Sequence, residues 1–236
     1  MNSVLPAFWA VIPAAGVGAR MAADRPKQYL TLGQRTLLEH SLGCFLDHPG
    51  LKGLVVSLAV DDPYWPTLAC ASDPRIQRVA GGTERADSVL NALLYLHERG
   101  ADDEDWVLVH DAARPNLARA DLDNLLMQLA DDPVGGLLAV PARDTLKRVD
   151  AQGRVRETVE RSDIWQAYTP QMFRLGALHR ALADSLVADV AITDEASAME
   201  WAGQAPRVIE GRADNLKVTR PEDLEGLRQR WASRPH

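Results

Sequence analysis

Short, mostly apolar runs alternate along this chain with stretches whose apolar residues recur every three or four positions. The runs are Phe8–Ile12, Gly53–Val60, Ile76–Val79, Trp106–His110 and Gly136–Val140. They are too short for helices and largely lack the polar alternation of a half-exposed sheet, so they predict strands buried on both faces. Helical periods fall at Leu37–Leu46, Arg85–Glu98, Leu122–Leu129, Leu175–Leu186, Glu195–Trp201 and Pro221–Trp231. This alternation predicts an α/β fold, a mostly parallel sheet with helices on both faces. No fixed-period repeat, low-complexity segment or Pro-, Gly- or Ser-rich linker interrupts it, so residues 1–236 read as one domain.

The segment RDTLKRVDAQGRVRETVERSD, Arg143 to Asp163, departs from that pattern. Its residues alternate with a period of two around the turn signal Asp150–Gly153, which predicts a β-hairpin. Both halves are charged and poor in apolar residues, so the hairpin cannot build a core alone. The pattern leaves two readings: a solvated hairpin, or an arm that packs on a partner subunit.

A formal net charge of -7 argues against a nucleic-acid coat or a polybasic membrane anchor. An anionic ligand must therefore be met by a local cluster of cations. The 6 Trp and 4 Tyr form no stripe beside basic residues, so no stacking surface for nucleic acid is expected. Cys44 and Cys70 fit no disulfide framework or metal spacing and read as two reduced, buried thiols of a cytoplasmic protein. The apolar stretch Val4–Val17 precedes its first basic residue, Arg20, which is the wrong charge order for a secretory signal. No apolar run reaches the ~18 residues of a membrane span.

Positive charge does cluster in VIPAAGVGARMAADRPKQYL, Val11 to Leu30, where a strand gives way to a loop almost without side-chain bulk. Arg20, Arg25 and Lys27 face one acid there, Asp24. A glycine-rich turn at the carboxyl edge of a parallel sheet lets backbone N–H groups approach phosphates, with nearby cations to neutralise them. The dinucleotide fingerprint would need glycine at Met21, and the phosphate loop of ATPases needs a Gly-Lys pair that does not occur. The segment reads either as a phosphate loop of a third type, with Arg20 and Lys27 as charged donors, or as a plain turn with solvated basic residues.

Four further stretches carry chemistry. GGTERADS joins Gly81 and Gly82, which permit close backbone approach, to the Ser88 hydroxyl early in a helix. WVLVHDAARP sets Asp111 directly after an apolar strand, at the sheet's carboxyl edge. One carboxylate there suits a magnesium ion that completes its shell with phosphates and water, and it equally suits a helix cap. His110 reads as a packed strand-end residue, and Arg114 as a partner of Asp111 or of substrate. In AITDEAS, Thr193 reads as a helix cap, and Lys217 lies in a strand-like run, Asn215–Thr219.

PAAGVGARM, PKQYL, GGTERADSV, HDAARP, ARDTLKR, TPQMF, ITDEAS and GRADNLKVTRPEDL, in this order, resemble the 2-C-methyl-D-erythritol 4-phosphate cytidylyltransferase family of the non-mevalonate isoprenoid pathway. The similarity runs from Ala7 to about Arg230; HDAARP and GRADNLKVTRPEDL are its specific part. The resemblance implies a Rossmann-like α/β domain, magnesium, and a homodimer joined by protruding β-arms at about 143–163, which favours the second reading of the hairpin. It implies that Ala14, Ala15, Gly16, Arg20 and Lys27 hold the phosphates of CTP. Gly81, Gly82 and Ser88 would hold the cytidine, with Asp111 on magnesium. Thr145, Arg161, Thr193 and Lys217 would bind methylerythritol phosphate, with Arg114 nearby; Arg20, Lys27, Arg161 and Lys217 form the implied catalytic set. With the chain ending at His236, the fused cyclase of bifunctional relatives is not expected.

The implied reaction suits these residues. A phosphate monoester attacks the α-phosphorus of CTP and expels pyrophosphate, so repulsion between two anions is the main obstacle. Positioning and charge neutralisation meet it without a covalent enzyme nucleophile. The rival readings are a cytidylyltransferase for ribitol 5-phosphate and a non-catalytic nucleotide-binding module. Asp111 and the separate cations Arg161 and Lys217 argue against the latter.

Overall fold

The computed structural model describes residues 5–16 and 25–232. Its frame is a seven-stranded sheet around β1 (Phe8–Pro13). β1 lies parallel between β4 (Leu51–Leu58) and β6 (Trp106–Val109), and β5 (Ile76–Ala80) extends the sheet beyond β4, also parallel. On the other side β10 (Trp165–Arg174) runs antiparallel between β6 and β7 (Gly135–Pro141), and β11 (Arg207–Glu210) closes that edge parallel to β7.

Helices cover both faces, as the alternating pattern predicts. Phe8, Ala10 and Ile12 of β1 face one way, into a core with Leu38, Leu42 and Phe45 of α1 (Leu37–Leu46) and Leu122, Leu125 and Leu129 of α3 (Arg119–Leu129). Val11 faces the opposite way, towards α2 (Arg85–Glu98), α4 (Leu175–Val187) and α5 (Glu195–Trp201), which bring Val89, Leu93, Leu178 and Met199. A smaller cluster joins Leu224 and Leu227 of α6 (Pro221–Ala232) to Leu32 of the short hairpin β2 (Thr31–Leu32) and β3 (Arg35–Thr36). Ala113 and Val218 belong to that cluster, so α6 braces two loops at the carboxyl edge of the sheet.

Three expectations need correction. β10 and β11 were not anticipated. The run Asn215–Thr219 is not a strand: it is a loop tied down where the Val218 N–H donates to the Ala113 carbonyl (2.9 Å). The cap of α5 is Asp194 rather than Thr193, because the Asp194 carboxylate accepts from the Ser197 N–H (2.9 Å).

Beyond β7 the chain forms the expected hairpin, β8 (Leu146–Val149) and β9 (Val155–Val159). Asp150 to Gly153 turn it, with Gly153 at φ 77 where a side chain would strain. Lys147 bonds Thr158 and Arg148 bonds Glu157 across the strands (both 2.6 Å). Val149 and Val155 remain 52% and 60% exposed. A two-stranded ribbon with so little apolar contact is marginal by itself in water.

Candidate active site

Parallel strands deliver their carboxyl ends to one edge, and the chemistry-bearing loops meet there. After β1 the Ala14 N–H donates to the Ser57 carbonyl (2.8 Å), continuing the ladder past the strand. Gln28, in the single helical turn Lys27–Tyr29, is buried and donates from one amide nitrogen to the carbonyls of Ala14 (2.7 Å) and Gly16 (3.1 Å). One side chain thus fixes the loop from beneath without filling the space above it. Lys27 lines that space, with Nζ 3.5 Å from the Val218 carbonyl. Arg20 lies outside the described residues.

After β5 the chain passes so close to this loop that only glycine fits. A Cβ on Gly81 would stand 2.2 Å from the Ala15 Cβ, and one on Gly82 would stand 2.1 Å from the Asp87 Cβ. Ser88, on the first turns of α2, accepts from the Gly82 N–H (3.0 Å) and donates to the Glu84 carbonyl (3.1 Å). Its hydroxyl proton is therefore engaged within the protein, and one lone pair is left to accept a donor from a ligand.

After β6, Asp111 is not a helix cap: α3 starts at Arg119, with Ala118 before it. The Asp111 N–H donates to Thr169 Oγ1 (3.1 Å), and its carboxylate is ringed by cations. Arg85 Nε lies 3.2 Å from Oδ1, while Lys217 Nζ (2.9 Å) and Arg114 Nε (3.5 Å) face Oδ2. Burial would raise the Asp111 pKa, but Arg85, Lys217 and Arg114 outweigh it and hold the carboxyl far below the usual range. Arg85 also forks onto Glu195, from NH1 to Oε1 (2.6 Å) and from NH2 to Oε2 (3.0 Å). Burial would lower its pKa; Glu195 and Asp111 reverse that and raise it. Neither Arg85 nor Glu195 was anticipated as a site residue. They lie 110 positions apart, and nothing in one sequence marks a first-turn glutamate as buried.

These groups bound two adjoining clefts. The first, of about 360 Å³, is lined by Ala14 to Gly16, Lys27, Gly82, Ser88, Asp111 and others; Gly81 sits behind it, against Ala15. The second, of about 160 Å³, is lined by Arg114, Tyr168, Gln171, Thr193 and Asp194 among others. Arg85, Asp111 and Lys217 line both and form the wall between them. Arg114 is largely committed to the protein: NH1 donates to the Asn215 carbonyl (2.7 Å), and its guanidinium carbon lies 4.4 Å from the centre of the Tyr168 ring. Its Nε lies 3.5 Å from Asp111 Oδ2 and forms an ion pair with it. His110 is packed as expected, between Thr169 Oγ1 and the Arg114 carbonyl (both 3.0 Å), and burial pushes its imidazole down to about 4. Thr145 and Arg161 are exposed on the arm and line neither cleft.

Among the described residues no three His, Cys, Asp or Glu side chains gather as a metal cage. The donor chemistry does fit a magnesium ion brought in on a polyphosphate, which needs only one or two carboxylates from the protein. Asp111 stays ionised and lines the first cleft. No helix among the described residues is long and apolar enough to cross a membrane.

A glycine-lined loop at the carboxyl edge of a mostly parallel sheet, facing a second cleft across a charged wall, is an architecture suited to nucleotide binding. Comparison with known proteins makes that specific. Residues 8–228 match the family model described as IspD: 2-C-methyl-D-erythritol 4-phosphate cytidylyltransferase, and the chain belongs to this family of CTP-dependent enzymes of isoprenoid biosynthesis. It is 86% identical over 234 residues to the 2-C-methyl-D-erythritol 4-phosphate cytidylyltransferase of Pseudomonas fluorescens (strain Pf-5), covering 99% of this chain and 100% of that one. A crystal structure of 4-diphosphocytidyl-2C-methyl-D-erythritol synthase matches with a TM-score of 0.82 and 42% identity, over 96% of this chain and 99% of that one. The Francisella tularensis 2-C-methyl-D-erythritol 4-phosphate cytidylyltransferase matches with a TM-score of 0.79 and 37% identity, over 93% and 97%.

Proposed function

We propose that the two clefts divide the two substrates of the cytidylyl transfer, CTP in the first and methylerythritol phosphate in the second. The shared wall of Arg85, Asp111 and Lys217 carries this reading, because each cleft then meets the other where one phosphate must attack another. The residues 14–16, with Arg20 and Lys27, hold the triphosphate by backbone donors and cations. Gly81, Gly82 and Ser88 hold the cytidine; the narrow glycine contact excludes a purine by size, and the free lone pair of Ser88 suits the exocyclic amine of cytosine. Thr193, Lys217 and Arg114 bound the acceptor cleft.

The acceptor's phosphate oxygen attacks the α-phosphorus in line and pyrophosphate leaves. Lys27, Arg20 and Lys217 offset the charge that gathers on the five-coordinate phosphorus. Asp111 holds Lys217 between the clefts and would hold the magnesium ion. That ion, when bound, would neutralise triphosphate charge.

The arm completes the site in trans. Arg161 and Thr145 line neither cleft of their own chain, and β8 and β9 leave apolar surface exposed. A two-fold pair of such arms would cover that surface and bring Arg161 of each chain to the acceptor phosphate of the other. The whole chain, 1–236, then works as one nucleotidyltransferase domain in a cytoplasmic homodimer. A coupled pyrophosphate assay across nucleotides and polyol phosphates tests this reading. Release with CTP and methylerythritol phosphate, and not with ribitol 5-phosphate, ATP or GTP, is expected. Equal release with ribitol 5-phosphate or with purine nucleotides would contradict the assignment of the clefts.

A further inference from the structure

We propose that Glu195 is a positioning residue of this reaction: it fixes the Arg85 guanidinium in the wall between the clefts and, through it, the carboxylate of Asp111. The proposal rests on the assignment of the two clefts to CTP and acceptor. Glu195 is fully buried and lines neither cleft, so it acts through what it holds. Both of its oxygens accept from one guanidinium, at 2.6 and 3.0 Å. That fork sets the plane of the Arg85 group and leaves Nε as the donor aimed at Asp111 Oδ1, 3.2 Å away. Asp111 Oδ2 then faces Lys217 Nζ at 2.9 Å, with Arg114 Nε farther off at 3.5 Å. The result is a chain of alternating charge, Glu195, Arg85, Asp111, Lys217, of which the last three face both substrates.

The anchor is itself held rigidly. Gln171 donates to Asp194 Oδ2 (2.8 Å) and accepts from the Ala196 N–H (2.7 Å), clamping the residues on either side of Glu195. Stability alone does not account for the pair, since apolar replacements of buried ion pairs are often neutral or stabilising. Without Glu195, the guanidinium can turn its fork onto Asp111 and compete with Lys217 for the carboxylate. The charges remain but their placement between the clefts is lost.

The test is a double-mutant cycle on the full enzyme with Glu195→Gln, Arg85→Gln and the double variant, each checked by thermal melting and assayed by pyrophosphate release. A glutamine at 195 sets an amide donor against a guanidinium donor and breaks the fork. Misplacement of about 1 Å can slow an enzyme ~10²-fold. Glu195→Gln is therefore expected to lose roughly 10- to 100-fold in kcat, with KM for CTP and acceptor within about threefold, since the loops that bind them are untouched. In the Arg85→Gln background the second change should add less than about threefold. Losses that multiply would overturn the proposal, because Glu195 would then act independently of Arg85. Normal turnover by Glu195→Gln beside a slow Arg85→Gln would overturn the positioning role only. Wild-type turnover by Arg85→Gln would remove the wall from the reaction and the cleft assignment with it. Glu195→Asp keeps the buried charge and withdraws it by one methylene, so it decides the matter where a neutral variant does not fold. It should stay at least tenfold slow, and a near wild-type rate would overturn the proposal.

Discussion

Gly81→Ala tests how closely the loops that follow β5 and β1 must approach. The added Cβ would lie 2.2 Å from the Ala15 Cβ and 3.1 Å from Ser88 Oγ. Ordinary carbon contact is ~3.5 Å, so the two loops must part by about 1.3 Å, the difference between that contact and the 2.2 Å available. Neither loop can yield cheaply. Gln28 holds the carbonyls of Ala14 and Gly16, and the Gly81 N–H is bonded to the Leu58 carbonyl (2.7 Å). Overpacking of this kind costs about 1–3 kcal/mol, and in a chain of this size that lowers Tm by roughly 2–12 °C. The enzyme stays folded, but with CTP held between these two loops, as proposed, a displacement beyond ~1 Å should lower kcat/KM for CTP by ~10²-fold. Pyrophosphate release at varied CTP, beside a melting curve, gives both numbers. Ala15→Gly removes the opposing carbon and should return most of the lost kcat/KM to Gly81→Ala. Wild-type kcat/KM in Gly81→Ala, or no recovery in the pair, would refute the contact as the cause.

Lys27→Ala should lose roughly 10²–10³ in turnover, the usual loss for one preorganised donor; mixed dimers of Lys27→Ala with Arg161→Ala should regain up to about half the wild-type rate, and persistent inactivity in verified mixed dimers would return the arm to a structural role. Asp111→Asn should weaken the response to magnesium, because an amide is a poorer ligand for a hard cation; an unchanged titration would leave Asp111 as a holder of Lys217 alone. His48 is buried, accepts from the Gly50 N–H at Nδ1 (2.9 Å) and faces Asp123 at Nε2 (3.0 Å); burial and then Arg119 lower its pKa below 6.5. Its contribution to stability is therefore complete above pH ~6.5 and is lost as pH falls through the folded value, so between pH 7.5 and 5 Tm should fall more in wild type than in His48→Gln, and equal losses would exclude His48 as the cause.

Periodicity alone located α1, α2 and α5 to the residue, because each turns a stripe of leucine, valine or alanine to a core that fills one face of the sheet. β10 was illegible for a physical reason. Its sequence WQAYTPQMFR mixes polar and aromatic residues and contains Pro170, which cannot donate to a ladder. The strand survives because its pairing with β7 is irregular between Ala167 and Gln171, so the register steps over the proline. The reverse error, a strand at Asn215–Thr219, arose from a short run whose inward residues are three apart and serve a loop. Asn215 and Val218 point inward to hold the loop, while Lys217 faces the clefts. Gly81 and Asp111 could be singled out because a small or charged residue follows an apolar run, and Ser88 because its hydroxyl lies at the start of the next helix; Lys217 was marked only by the resemblance of GRADNLKVTRPEDL to the family. The pairing of Arg85 with Glu195 could not be singled out, since it depends on α2 and α5 meeting over the same sheet face.

The central claim is a single in-line displacement at the α-phosphorus, made by an acceptor phosphate in the second cleft on CTP in the first. The stereochemical course with one diastereomer of CTP carrying sulfur on its α-phosphorus tests it most directly. One displacement without an enzyme nucleophile inverts that centre. Inversion in the CDP-methylerythritol product is the predicted result, and retention would contradict the account, because it requires a covalent cytidylyl-enzyme between two displacements.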